Sequence, residues 1–202
     1  LTVRQTETAS AVREVTASTF LLRRTADRWS VGLIWHDRLS SHMPAGGHGE
    51  IGEGVHDAAL REVLEETGLR ARLIPGPTAP TPPGFPHRPV PAPWWICEGG
   101  ASPDGHTSAT HTHVDHIYLA LVDTAAADGR PADHELTWFT HSRLSSDPTV
   151  SEDSRLLALQ LMAWLDSAPA GAEDDPALLG AHLAQAAAGA LPAQQRRQER
   201  AE

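Results

Sequence analysis

The chain has 202 residues, 40% of them hydrophobic and 21% charged. This fits one globular domain with length to spare and excludes a fully disordered, collagen-like or membrane-spanning polypeptide. A formal net charge of -10 opposes non-specific contact with nucleic acid or anionic lipid, so an anionic substrate needs local help from arginine or a metal ion. The lone cysteine, Cys97, excludes an internal disulfide and is expected to be buried and inert. No run approaches the roughly 18 apolar residues of a spanning helix, and Thr16 to Leu22 is too short and polar for a signal peptide, so a cytoplasmic location is expected.

In chain order, Val15 to Arg23 and Trp29 to Trp35 are runs of β-branched and aromatic residues around a polar break, the pattern of a hairpin. Ser41 to Gly54 is polar and glycine-rich and reads as a loop. It feeds a helix over His56 to Leu69, with Gly68 as its stop signal. Ala71 to Ile74 is a short strand candidate. From Pro75 to Pro93 the chain carries nine of its 16 prolines, which neither a helix nor a central strand tolerates, so an exposed loop or lid is expected.

Trp94 to Cys97, Val114 to Val122 and Glu135 to Thr140 are the remaining strand candidates. Ser151 opens a periodic stretch in which Leu156, Leu157, Leu159, Leu161, Met162 and Leu165 form an apolar stripe ending at Asp166. The domain is expected to span residues 1–168. Residues 169–202 then form an Ala-rich tail, partly helical or disordered, loosely attached and dispensable, with Asp175 before Pro176 as a helix start. A homodimer is left open, with Leu178, Leu179 and Leu183 as the surface that would form it.

The segment that carries chemistry is Gly47-His-Gly-Glu-Ile-Gly-Glu53 continuing into Arg61-Glu62-Val63-Leu64-Glu65-Glu66-Thr67-Gly68-Leu69. On a helix advancing about 100° per residue, Glu62, Glu65 and Glu66 fall within an arc of roughly 100°, so three carboxylates share one face. Leu60, Val63 and Leu64 are expected on the opposite side, buried against a sheet. Arg61, one turn before Glu65, offsets only part of the acidic charge, and a divalent cation would complete the neutralisation. Hard oxygen ligands suit Mg2+ or Mn2+, and such an ion would also bridge an anionic phosphate chain to an acidic protein.

These residues resemble the signature box of the Nudix hydrolase superfamily, G-x5-E-x7-R-E-U-x-E-E-x-G-U with U aliphatic, matched at every defined position without a gap. The resemblance implies an α/β (α+β) fold, a Nudix-like α/β/α sandwich with a mixed β-sheet between helices. It implies Glu62, Glu65 and Glu66 as metal ligands, with the backbone carbonyl of Gly46 beside them. Arg61 would orient the glutamates, and Glu53 would help to position the attacking water. The implied reaction is hydrolysis of a diphosphate linkage in a nucleotide or similar small molecule, with Glu66 or Glu53 as the base inside the box and Asp115 or Glu98 outside it. The alternatives are non-hydrolytic uses of the same fold: isopentenyl-diphosphate-isomerase-like chemistry or a nucleotide-binding regulatory module.

Outside the box, His111-Thr-His113-Val-Asp115 alternates as a strand does, which puts His111, His113 and Asp115 on one face as candidate substrate contacts. A separate zinc site there needs supporting partners that the run does not itself supply. Trp94 and Trp95 could stack on a nucleobase, and alternation allows only one of them to pack inward.

Overall fold

The computed structural model describes residues 12–26, 28–127 and 131–198. Among these residues the strands are β1 (Arg13–Thr25), β2 (Arg28–His36), β3 (Ser41–Met43), β4 (Ala45–His48), β5 (Leu69–Ile74), β6 (Trp95–Ala101), β7 (His111–Ala127) and β8 (Leu136–Phe139). The helices are α1 (Val55–Thr67), α2 (His141–Ser146), α3 (Glu152–Leu165) and α4 (Pro176–Gln198).

One mixed sheet runs β3-β2-β1-β7-β5, with β4 added to β1, β6 to β7 and β8 to β2. The two long strands β1 and β7 pair in parallel from Arg13 with Thr112 to Leu22 with Leu121, and the other pairings are antiparallel. Their length lets each hold two short partners in succession along its outer edge. On β1 these are β4 over Thr16 to Thr19 and β2 over Leu21 to Thr25. On β7 they are β6 over His111 to Ile117 and β5 from Leu119 onward.

Alternation along these strands sorts the core into two layers. Ala17 packs with Tyr118 against Ala58 and Ala59 of α1, and Leu21 with Ala120 against Val63. Phe20, Leu22, Leu119 and Leu121 face the other way, into a larger cluster with Ala158, Leu161 and Leu165 of α3 and Leu179 and Leu183 of α4. Helices therefore cover both faces.

α1 ends where Gly68 turns to φ 67 and its amide closes on the Leu64 carbonyl, a left-handed cap that glycine takes without strain. Its buried residues are Ala58, Ala59, Val63 and Thr67, whereas Leu60 and Leu64 are only partly covered. Small side chains let the helix sit close to the sheet, and the buried stripe borders the acidic face instead of opposing it.

Two strands lie where the glycines read as a loop. A Cβ on Gly46 would stand 2.2 Å from the Ala17 carbonyl oxygen, and one on Gly47 would stand 2.5 Å from Glu62 Oε1. Glycine serves close approach here, not a turn. The six-residue α2 is too short to show helical periodicity in sequence. On α3 the stripe is narrower than expected, with Leu156 exposed and Ala158 buried.

The stretch from Ala172 to Leu183 is part of the core and not loosely attached. Ala172, Leu179 and Leu183 are fully buried, Arg24 pairs with Glu173, and Arg72 donates to the Asp174 carbonyl. Leu179 and Leu183 are therefore covered by their own chain and unavailable to a partner copy, while Leu178 remains exposed. Residues 77–90 are exposed and irregular. The neck of that segment is closed by a hydrogen bond from the Gly76 amide to the Ala92 carbonyl at 3.0 Å. Cys97 is exposed, contrary to expectation: among the described residues β6 pairs with β7 alone, and Ile96 to Gly100 are all exposed. No helix among the described residues is long and apolar enough to cross a membrane.

Candidate active site

The loop Gly49–Gly54 joins β4 to α1 and brings the acidic residues of the box around one guanidinium. Arg61 donates from Nε and Nη2 to both oxygens of Glu53, at 2.9 and 3.0 Å. Its Nη1 reaches Glu62 Oε1 at 2.7 Å and Glu65 Oε2 at 3.0 Å, and Nη2 also meets the His48 carbonyl at 2.9 Å. A planar fork can serve all these acceptors at once, which a point charge cannot. The hydrogen bond to Glu53, foremost among these contacts, holds Arg61 firmly protonated. The same bond keeps the Glu53 carboxyl below its ordinary range.

Glu66 stands apart from this knot. Its Oε2 accepts from the Gly46 amide at 2.8 Å, and its Oε1 lies 3.5 Å from His134 Nε2. Beside the buried stripe of α1 its side chain is only 12% exposed. Burial, reinforced by the negative charges of Glu62, Asp133 and Glu65, pushes its carboxyl up to about 8 despite the Gly46 bond. The site therefore contains one carboxylate that is costly to ionise without a cation. Glu62 is nearly as covered, at 15%, whereas Glu65 is 46% exposed.

The residues proposed outside the box take up several positions. His111 and His113 share a face of β7, the one carrying Leu119 and Leu121 and thus turned away from α1. Their Nε2 atoms lie 2.9 Å apart. Around them gather His48 from β4, Glu14 from β1 and Asp104 from the β6–β7 connection. Asp115 lies outside this group and accepts from Thr16 Oγ1 at 3.0 Å. Glu98 is exposed and paired with Arg13.

Trp94 and Trp95 both pack against the main core, Trp95 stacking on Trp164 with centroids 6.0 Å apart. Trp94 precedes β6, so strand alternation does not govern it, and its indole N–H donates to the Ile74 carbonyl. Sequence reasoning missed Glu14, Asp104 and His134. Glu14 comes into place through the parallel pairing that sets it beside His113, a long-range register with no local signal. Asp104 and His134 sit in connections without periodicity.

A cavity of about 460 Å3 opens between the two groups, lined by Glu14, His48, Glu50, Glu53, Val55 and His106. It places the loop of the box and the histidine group on one solvent-accessible space.

A model of the NUDIX domain matches residues 7–160. The chain belongs to the NUDIX family. The sandwich is the family's fold. A NUDIX-family hydrolase from Clostridium perfringens superposes with a TM-score of 0.58 over 76% of this chain and 99% of its own, at 22% identity. An Ap4A hydrolase from C. elegans gives a TM-score of 0.47 over 76% and 99% at 17% identity. NrtR from Shewanella oneidensis, solved with a 27mer DNA, gives 0.43 over 74% and 62%, also at 17% identity.

Proposed function

We propose that this NUDIX protein is a metal-dependent pyrophosphohydrolase that cleaves the diphosphate linkage of a nucleotide or similar nucleoside-diphosphate-X substrate. The observation that carries the reading is the acidic face of α1 held against β4. Glu62 and Glu65 are oriented by Arg61, and Glu66 is fixed by the Gly46 amide in a position where its charge lacks a cation.

The donor set fits Mg2+ or Mn2+. Every group offered is a hard oxygen, and the missing side chain at Gly47 leaves space that a Cβ 2.5 Å from Glu62 would close. Glu62, Glu65, Glu66 and the Gly46 carbonyl would hold such an ion, which when bound supplies charge neutralisation and Lewis acidity at the phosphoryl oxygens. Glu66 is the candidate base. Both oxygens of Glu53 are occupied by Arg61, which suits Glu53 to holding the arginine. His113 and Asp115 remain proposals for substrate contact, since the cavity reaches the neighbouring residues Glu14 and His48. The free cysteine supports a reducing, cytoplasmic setting.

The test is a screen of nucleotides, nucleotide sugars and dinucleotides with Mg2+, read by product mass. Release of a nucleoside monophosphate or of inorganic phosphate is expected. An isomerised product, or binding without turnover across the screen, would overturn the reading in favour of an isomerase or a regulatory module.

A further inference from the structure

Three imidazoles and two carboxylates converge at the end of the sheet where β1, β4 and β7 run side by side. The nearest nitrogens of His48, His111 and His113 and the nearest oxygens of Glu14 and Asp104 all lie within 4.8 Å of one another. His48 Nε2 is 2.8 Å from Glu14 Oε2 and 4.0 Å from Asp104 Oδ2. His111 Nε2 is 3.4 Å from both of those oxygens, and His113 Nε2 is 3.8 Å from Asp104 Oδ2. Ligand atoms around a tetrahedral zinc, each about 2.0–2.1 Å from the ion, stand about 3.3 Å apart. The observed spacings bracket that value.

The outer atom of most of these side chains is already committed, so the inner one is aimed. His111 is fully buried, and its Nδ1 meets the Ala109 carbonyl at 3.0 Å. A carbonyl only accepts, so Nδ1 carries a proton and Nε2 is the ring atom left to face the group. Oδ1 of Asp104 accepts the amides of His106 and Thr107, at 2.8 and 2.9 Å, which leaves Oδ2 facing the group. Glu14 is held through Oε1 by the Thr107 hydroxyl. These are the outer contacts that orient metal-binding imidazoles and carboxylates.

The inward atoms are poorly satisfied by one another. Glu14 Oε2 and His48 Nε2 are both buried and, although 2.8 Å apart, are not aligned for a hydrogen bond with each other or with another described group. A shared proton can bridge one pair of these atoms but not five. A cation with several coordination positions satisfies them together. We infer that His48, His111 and His113, with Asp104 and Glu14, form a second metal site, selective for zinc or a similar imidazole-binding transition metal. It is chemically distinct from the all-oxygen site of the box, because Mg2+ demands oxygen ligands and retains its waters, whereas three imidazoles favour zinc. The site ties β1, β4 and β7 to the β6–β7 connection.

The test uses the full chain, stripped with a chelator, then equilibrated with Zn2+ in large excess of Mg2+ and dialysed, with metal counted by plasma mass spectrometry. About one zinc per chain is expected. Substitution by Co2+ should give the intense visible absorption of a tetrahedral site. His113→Gln and Asp104→Asn, checked for folding by circular dichroism, should each cut zinc retention at least about tenfold. Glu65→Gln, in the box, should keep the zinc, so failure of the box reading would not be mistaken for failure of this one. The inference is overturned if the wild-type chain holds no more zinc than the two cluster variants, if Co2+ shows only the spectrum of the hydrated ion, or if Glu65→Gln loses zinc equally.

Discussion

The amide of Gly46 donates to Glu66 Oε2 at 2.8 Å, and this bond joins β4 to the carboxylate most deeply set in α1. Replacing Glu66 by Gln keeps the shape and removes the charge. Turnover with Mg2+ should fall at least about a hundredfold. Above about pH 8, where Glu66 is ionised, the melting temperature of the metal-free protein should not fall, because an amide is cheaper to bury than a carboxylate. A variant with near-normal turnover would remove Glu66 from the chemistry.

The same carboxyl makes stability depend on pH. Its folded value of about 8 lies above its ordinary 4.5, so between these values the folded protein holds a proton that the unfolded chain has released. Stability of the metal-free protein should therefore decline as pH rises from about 4.5 to about 8 and then level off. Scanning calorimetry in the presence of a chelator should show that slope for the wild type and a flatter one for Glu66→Gln. Mg2+ should raise the melting temperature more at pH 8 than at pH 6.

Adjacent glycines should fail differently. A Cβ on Gly46 meets backbone of β1 at 2.2 Å, so Gly46→Ala should force β4 from its partner and destabilise the fold by about 1–3 kcal/mol or more. A Cβ on Gly47 meets the mobile end of Glu62 at 2.5 Å, so Gly47→Ala should weaken binding of Mn2+ with a smaller thermal shift. Urea denaturation and Mn2+ titration separate the two effects.

Arg61→Lys is expected to be far from conservative. A lysine cannot make the five contacts now shared among Glu53, Glu62, Glu65 and the His48 carbonyl. Turnover should drop at least about tenfold, with the loss in kcat exceeding that in substrate binding, as steady-state kinetics would show.

Removal of residues 171–202 should strip Leu179 and Leu183 from the main core and lower the melting temperature sharply. Leu179→Ala alone should cost about 2–5 kcal/mol, measured by urea unfolding, since the side chain is fully buried.

The sequence announced the arrangement of the candidate site more clearly than the packing. Glu53, Arg61 and the three helical glutamates were legible because their spacing is local and strict. The buried side of α1 was not, since Ala58 and Ala59 carry little hydrophobic signal and take their place only because the helix lies close to the sheet. Leu179 and Leu183 were misjudged because alanine-rich surroundings dilute an apolar stripe. The histidine group was half legible. Alternation aligned His111 with His113, but the partners from β1, β4 and the β6–β7 connection are set by pairings between segments distant in sequence.

The bond between Gly76 and Ala92 means that the proline-rich segment leaves and rejoins the fold at one point. A detour closed at its base is a pendant: its length and contents can be rewritten without moving the end of β5 or the start of β6. Doubling the length of a flexible loop costs only about 0.6 kcal/mol in closure entropy. This is the place in the chain where new recognition could be grafted onto an old hydrolytic scaffold with little disturbance to what lies beneath.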